Sequence, residues 1–254
     1  MKKYTVLTYN FNKYETFYEP AEVDPECEYI YVTDDETLKS NVWNIVVDHS
    51  LDGLQPFEKV FEVRYNLFKY ATTPVCINID GSVIIKKSLN KLYQDFENSG
   101  ADLGINPHPY RWHLPSEYQV WCQHRDYSID KSNTWLHLMH FFGYDFENDK
   151  GQIQVTFRIA RNTKLNADID NRVLTLMKCM NINGYVERLD QPVYSFVVQH
   201  YFKNINPFVM SQQVIQSDYM TWTLHDPNKI VVHVSEPEKP LHLFGKLYNL
   251  YLLK

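Results

Sequence analysis

An asparagine, an aspartate and a glycine fall together in the stretch Cys76-Ile77-Asn78-Ile79-Asp80-Gly81-Ser82, with an apolar run on either side. Hard divalent cations take oxygen ligands, and magnesium or manganese is often held by one or two carboxylates plus the phosphate oxygens of a substrate. Asp80, at the end of a strand-like run, supplies such a carboxylate. Asn78, two residues earlier, lies on the same side of the pleat and adds a carbonyl oxygen. Gly81 lets a bulky ligand approach the backbone closely. The plain alternative is a hairpin, because Asp-Gly is a strong hairpin signal.

Arg64 is a second candidate. Helical spacing from Phe57 runs through Val60, Phe61, Arg64, Leu67 and Phe68, which sets a guanidinium in the middle of an apolar stripe. A charge there is costly unless it meets an anion. Phosphate fits a guanidinium fork well, while a neighbouring acid, or snorkelling to the sheet edge, is the simpler partner. Asp190 and Gln191 precede Pro192 and a helical pattern. They either cap that helix or present a carboxylate and an amide to sugar hydroxyls or a reacting centre. His108, Arg111 and His113 lie in a proline-rich loop, where polar groups can reach a ligand without breaking the core. Tyr9, Tyr110 and Trp112 can stack on a base or sugar ring. His137 and His140 share a helix face, but no third ligand is near in sequence, so their spacing does not make a zinc site.

The elements that must position these residues alternate between strand and helix. Residues 3–9, 28–35, 42–48, 74–79, 102–106 and 152–159 have strand patterns, the last alternating with period two as a half-buried strand should. A helix is predicted from Pro56 through Phe68, stopped by Pro74. A second follows Ser88 as N-cap and ends at Gly100. Others are predicted around Val120-Trp121, over 135–142 and 169–180, and from Asp190. The pattern predicts a single α/β domain over 1–254, Rossmann-like, with a mostly parallel central sheet flanked by helices. Ligands of such sheets sit beyond the carboxyl ends of the strands, where Asp34-Asp35 and Asn78–Asp80 fall.

Composition narrows the class. The 254 residues carry 25 basic and 31 acidic side chains, a net charge of −6, without a long basic block. This argues against nucleic acid as a partner. Cys27, Cys76, Cys122 and Cys179 form no CxxC pair, which favours thiols over disulfides or a zinc ribbon. Neither a dinucleotide GxGxxG nor a P-loop motif is present. With no long apolar leader and no membrane-length run, a cytoplasmic protein is expected, with peripheral membrane association left open.

The ordered set of motifs resembles the GT-A-type glycosyltransferases, and more closely the DUF616 family of glycosyltransferase-like proteins. The matching segments are KYETFYEP at 13–20, CEYIYVTDD at 27–35, NVWNIVV at 41–47, INIDGSVII at 77–85, HPYRW at 108–112, FRIARN at 157–162 and RLDQPVYSF at 188–196. Together they span about residues 3–200. The resemblance implies a nucleotide-binding part over about 1–105 and an acceptor-side part over about 106–254. It sets Thr8, Tyr9, Asp34, Arg64, Asn78 and Asp80 at a nucleotide-sugar donor site, with a UDP-sugar favoured. Asp80 takes the family's metal-associated position, with manganese or magnesium as the cofactor. Asn78 replaces the first aspartate of the usual DxD pattern, a departure that weakens cation binding. His225, His233 and His242 are candidates for a C-terminal metal ligand. His108, Arg111, Arg161 and Asn162 fall on the acceptor or sugar side. Asp190 and Gln191 match the D-Q pair, with Asp190 binding the transferred sugar or acting as base on an acceptor hydroxyl. The expected reaction is sugar transfer to a glycan, lipid-linked glycan or other hydroxyl acceptor in polysaccharide or glycoconjugate synthesis. The competing expectations are an inactive relative that only binds carbohydrate or nucleotide, and a metal-dependent hydrolase.

Overall fold

Runs such as Tyr-Thr-Val-Leu-Thr-Tyr-Asn and Val-Cys-Ile-Asn-Ile are apolar or β-branched on both faces, the composition of strands covered from both sides. They form β1 (Tyr4–Asn10) and β4 (Val75–Ile79), and every residue of both is buried. In the computed structural model, which describes residues 1–108, 111, 113–115, 136–182, 190–210 and 217–223, all of these belong to one compact unit, Met1–Thr223. The remaining elements are β2 (Cys27–Thr33), β3 (Asn44–Val47), α1 (Pro56–Arg64), β5 (Val83–Ile85), α2 (Asn90–Ser99), β6 (Leu103–Pro107), β7 (Ile153–Arg161), α3 (Lys164–Ile182), α4 (Asp190–Phe196), β8 (Phe208–Val209) and β9 (Met220–Trp222).

The architecture is α/β, with a mostly parallel seven-stranded central sheet of order β3-β2-β1-β4-β7-β6-β8. β3, β2, β1 and β4 run parallel, β7 runs antiparallel to both β4 and β6, and β8 is parallel to β6. From β1 the chain builds outward through β2 and β3 on one side, then returns to add β4 on the other. The order therefore reverses at β1/β4, and a crevice opens beyond their carboxyl ends, the place where open α/β sheets bind ligands.

One face of the sheet packs Val6, Ile77, Ile79, Phe157 and Ile159 with Phe96 of α2. The other packs Leu7, Cys76 and Ala160 with Val63 of α1. A third cluster joins α3 and α4 through Ile169, Val173, Val193, Tyr194 and Phe196, with Tyr65 among them. α2 ends as expected, at Gly100 in the left-handed region, φ 64°.

Three expectations change. The first helix stops at Arg64; Tyr65 caps it, and Leu67–Lys69 form a separate 3-10 turn. Asp80-Gly81 is not a hairpin, since β4 stays in the central sheet while β5 pairs with β9 in a second, two-stranded sheet. The strand β7 is buried on both faces up to Ala160, so its polar residues Gln154, Thr156 and Arg158 face protein rather than water.

Candidate functional site

Arg64 ends α1 and turns back beneath the carboxyl ends of β1 and β4, with only 5 % of its surface exposed. Its Nε donates to the Tyr9 hydroxyl (2.6 Å), its Nη1 to Asp190 Oδ2 and its Nη2 to Asp80 Oδ1. The Tyr9 hydroxyl in turn donates to Asp80 Oδ1 at 2.7 Å. The guanidinium also lies over the Tyr9 ring, 5.5 Å from its centroid. Four side chains from four separate elements, β1, α1, the end of β4 and the start of α4, thus meet at the sheet's switch point.

Burial opposes the charge on Arg64, but Asp80 and the tyrosines around it outweigh that and hold its pKa above the ordinary value. Burial likewise holds the Tyr9 phenol well above its usual range, so Tyr9 is a neutral donor. Two carboxylates against one guanidinium leave the cluster one negative charge in excess. Among the described residues, Asp80 Oδ2 and Asp190 Oδ1 have no hydrogen-bond partner, and the Asp80 side chain is 25 % exposed. Each carboxylate is therefore oriented through one oxygen with the other unpaired, and of the two Asp80 is the one open to the crevice while Asp190 is buried.

The backbone around Asp80 is fixed from three sides. Its N–H donates to Thr156 of β7 (3.0 Å), and its carbonyl accepts from Val83 (3.0 Å). Gly81 presses against β1: a Cβ there would sit 2.4 Å from the Tyr9 carbonyl oxygen. The close approach that calls for glycine is made by the protein's own strand, not by a ligand as expected from sequence.

No protein-family model matches the chain, and no curated protein matches it.

Of the expected donor residues, Tyr9, Arg64 and Asp80 meet, and Asp190 joins them. Asn78 shares their face of the sheet but is fully buried. Its Nδ2 donates to the Leu7 carbonyl (3.3 Å) and its Oδ1 is enclosed without a partner, so it is no open metal ligand. Thr8 follows the alternation of β1 to the opposite face, its hydroxyl buried. Asp34 follows β2 at the same end of the sheet, where it accepts from Lys59 Nζ and the Asn12 N–H, each at 2.9 Å.

Gln191 has a structural contact: its Oε1 accepts from the Val155 N–H (3.3 Å). Ser195, one turn on, accepts from the Ile153 N–H (2.8 Å). The α4 side chains thereby replace a neighbouring strand for the start of β7. His108 and Arg111 extend the β6–β7 ladder through Gln152, at the same end of the sheet as Asp80. Burial, reinforced by Arg111, pushes the His108 imidazole down to about 3.

Arg161 and Asn162 do not join the site. They end β7 where β4 begins, and Arg161 pairs there with Glu97 at 2.8 Å. At about 3.3 Å per residue, that is about 17 Å along β4 from Asp80. Tyr110, Trp112, His225, His233 and His242 lie outside the described residues. Among those described, no group of three His, Cys, Asp or Glu side chains is placed to hold a metal. No described helix is long and apolar enough to cross a membrane.

The sequence reading missed the support beneath the site. Arg158 of β7 pairs with Asp170 of α3 (2.5 and 3.0 Å) and donates to the Arg64 carbonyl at 2.7 Å. Its guanidinium lies over the rings of Tyr65 and Tyr194, 5.5 and 5.4 Å from their centroids. Burial raises the Asp170 carboxyl above its ordinary value even with Arg158 beside it. The sequence carried no clear signal for it, since the alternation of β7 sets Arg158 on the polar register with Gln154 and Thr156, and only the fold buries that face.

Proposed function

We propose that the chain is a glycosyltransferase of the GT-A type, using a nucleotide-sugar donor, a UDP-sugar by preference. The observation that carries this reading is the meeting of Tyr9, Arg64, Asp80 and Asp190 at the β1/β4 switch point. In sugar transfer the leaving group is a nucleoside diphosphate, and its growing negative charge must be stabilised. Arg64 supplies a positive charge held in place by Tyr9, Asp80 and Asp190, which is electrostatic preorganisation rather than flexible attraction. Donor binding exchanges its contact with Asp80 for one with a phosphate oxygen. In this reading Asp34, which follows β2 and accepts from Lys59 of α1, would serve the nucleoside.

The donor set fits a hard divalent cation in the sparse mode that magnesium uses: one carboxylate oxygen, Asp80 Oδ2, with substrate phosphates and water. When bound, manganese or magnesium would supply Lewis-acid stabilisation of the diphosphate. Tyr9 fixes the Asp80 carboxylate so that Oδ2 faces outward. Asp190, held by Arg64 through Oδ2, keeps Oδ1 for a sugar hydroxyl or for the acceptor's proton. The acceptor is a hydroxyl of a glycan or lipid-linked glycan, and the reaction belongs to the cytoplasm. The burial of Asn78, which leaves a single open carboxylate, favours one second reading: a donor-binding relative without transfer activity.

Calorimetric titration of UDP, GDP and CDP, with and without manganese, into the protein and Asp80→Ala tests this. One nucleotide should bind with manganese and lose the metal dependence in the variant. Metal-independent binding unchanged by Asp80→Ala supports the binding-only reading, and no nucleotide binding removes both.

A further inference from the structure

A cavity of about 380 Å³ lies at the β6/β8 side of the molecule, walled by the segment 143–151, by the turn that follows α4 and by the residues that flank β8. This is in the range of small-molecule sites. Its walls are largely apolar, including Ile105, Tyr144, Ile153, Val198 and Phe202. A few polar side chains, Asp145, Asn148, Lys150 and Lys203, are set among them. We propose that this cavity is a binding site for a neutral sugar ring, distinct from the Asp80 cluster and read by the carboxamide of Gln152.

Two observations besides the cavity point to a ligand. Gln152 lines it and is 2 % exposed; both polar atoms of its carboxamide are enclosed, turned from the open space of the cavity, and have no hydrogen-bond partner. Its main chain is already used, since the N–H donates to Arg111 (2.8 Å) and the carbonyl accepts from His108 (2.7 Å). A buried primary amide without partners is rare and costly, and it calls for an occupant that both donates and accepts. A change of side-chain rotamer is the smallest motion that brings the carboxamide to such an occupant.

The second observation is the helix itself. Beyond α4 the chain continues as a π-helical turn, Val197–Tyr201, whose Val198, Gln199 and His200 form one wall. Such turns are uncommon and concentrate at functional sites. Gln199 accepts from the Tyr144 hydroxyl (3.0 Å) and the Lys150 N–H (2.9 Å), and donates to the Gly151 carbonyl (2.6 Å). The wall and the segment facing it are thereby fixed to each other.

The chemistry selects the ligand. An apolar occupant would leave Gln152 unpaired. A strongly charged one would meet both signs, Lys150 and Lys203 against Asp145. A sugar ring presents C–H faces to Tyr144 and Phe202, and adjacent hydroxyls, each donor and acceptor, to the carboxamide. The assignment does not depend on the donor-site reading, and it adds a second sugar subsite if that reading holds.

Saturation-transfer NMR and calorimetry on the full chain test it, with glucose, galactose, mannose and N-acetylglucosamine, glucuronate and glucosamine as charged probes, and indole as the apolar one. At least one neutral sugar should bind, and Gln152→Met should weaken it at least tenfold while unfolding no lower in temperature than the parent. Asp80→Ala should leave sugar binding unchanged, even if no nucleotide binds either protein. Binding of indole or only of charged sugars, no binding at all, or equal binding by Gln152→Met would each overturn the proposal.

Discussion

Arg64 shows how much one side chain can hold. Its three donor positions are divided among Tyr9, Asp80 and Asp190, so its loss strands two carboxylates at once. Removing one partner of a buried pair costs about 3–5 kcal/mol. Arg64→Met should therefore lower the unfolding free energy by about that much in urea titrations and abolish nucleotide binding. Asp80→Ala should be milder, because Arg64 keeps Asp190 and the site is partly open to water. That contrast separates a donor-binding role for Asp80 from a purely structural one. His108 gives a pH prediction. Its folded pKa, about 3, lies below the ordinary 6.5. The unfolded chain takes up the proton first, so the contribution of neutral His108 is complete above about 6.5 and is lost as pH falls toward 3. His108→Gln should flatten this acid limb of stability. Proton NMR should find the His108 ring neutral at pH 5, and titration near 6.5 would refute the burial argument.

At the scale of elements, helical spacing from Phe57 was enough to expose Arg64 as a charge on an apolar stripe. What it did not convey was where α1 stops. The helix ends on Arg64 because Tyr65 leaves helical geometry, and that places the guanidinium at the crevice instead of mid-helix. The Asp80-Gly81 pair was ambiguous for a different reason. Local sequence favours a hairpin, and only the long-range pairing of β5 with β9 decides otherwise. Gly81 is then needed for close packing, as a Cβ would fall 2.4 Å from the Tyr9 carbonyl oxygen, which is backbone and has little room to yield. Gly81→Ala should push the β1 and β4 ends apart and cost about 1–3 kcal/mol or more. Thermal unfolding would read the loss, and nucleotide affinity should fall with it, because Tyr9 and Asp80 move relative to each other. A variant of unchanged stability would mean the turn relaxes freely.

For the whole molecule, the alternation of strands and helices was legible, and so was a mostly parallel central sheet. The sequence did not show that β7 runs antiparallel, and that reversal sorts the remaining candidates. It brings the start of β7 to the crevice with Gln191 and His108, and carries Arg161 and Asn162 to the far end. It also places Arg158 at the joint of four elements. From β7 this residue bonds Asp170 on α3 and the last carbonyl of α1, and stacks on Tyr194 of α4. Two arginines three residues apart should therefore behave as opposites. Arg158→Met leaves Asp170 buried without a counter-charge and should cost about 3–5 kcal/mol. The double change Arg158→Met with Asp170→Leu should recover much of that, since two apolar groups replace a desolvated pair. Arg161→Ala removes only a partly exposed pair with Glu97, worth at most about 1 kcal/mol, and should leave nucleotide titration unchanged. Denaturant unfolding and calorimetry on these three proteins decide the matter. If Arg161→Ala removed nucleotide binding while Arg158→Met spared it, the site would belong at the other end of the sheet.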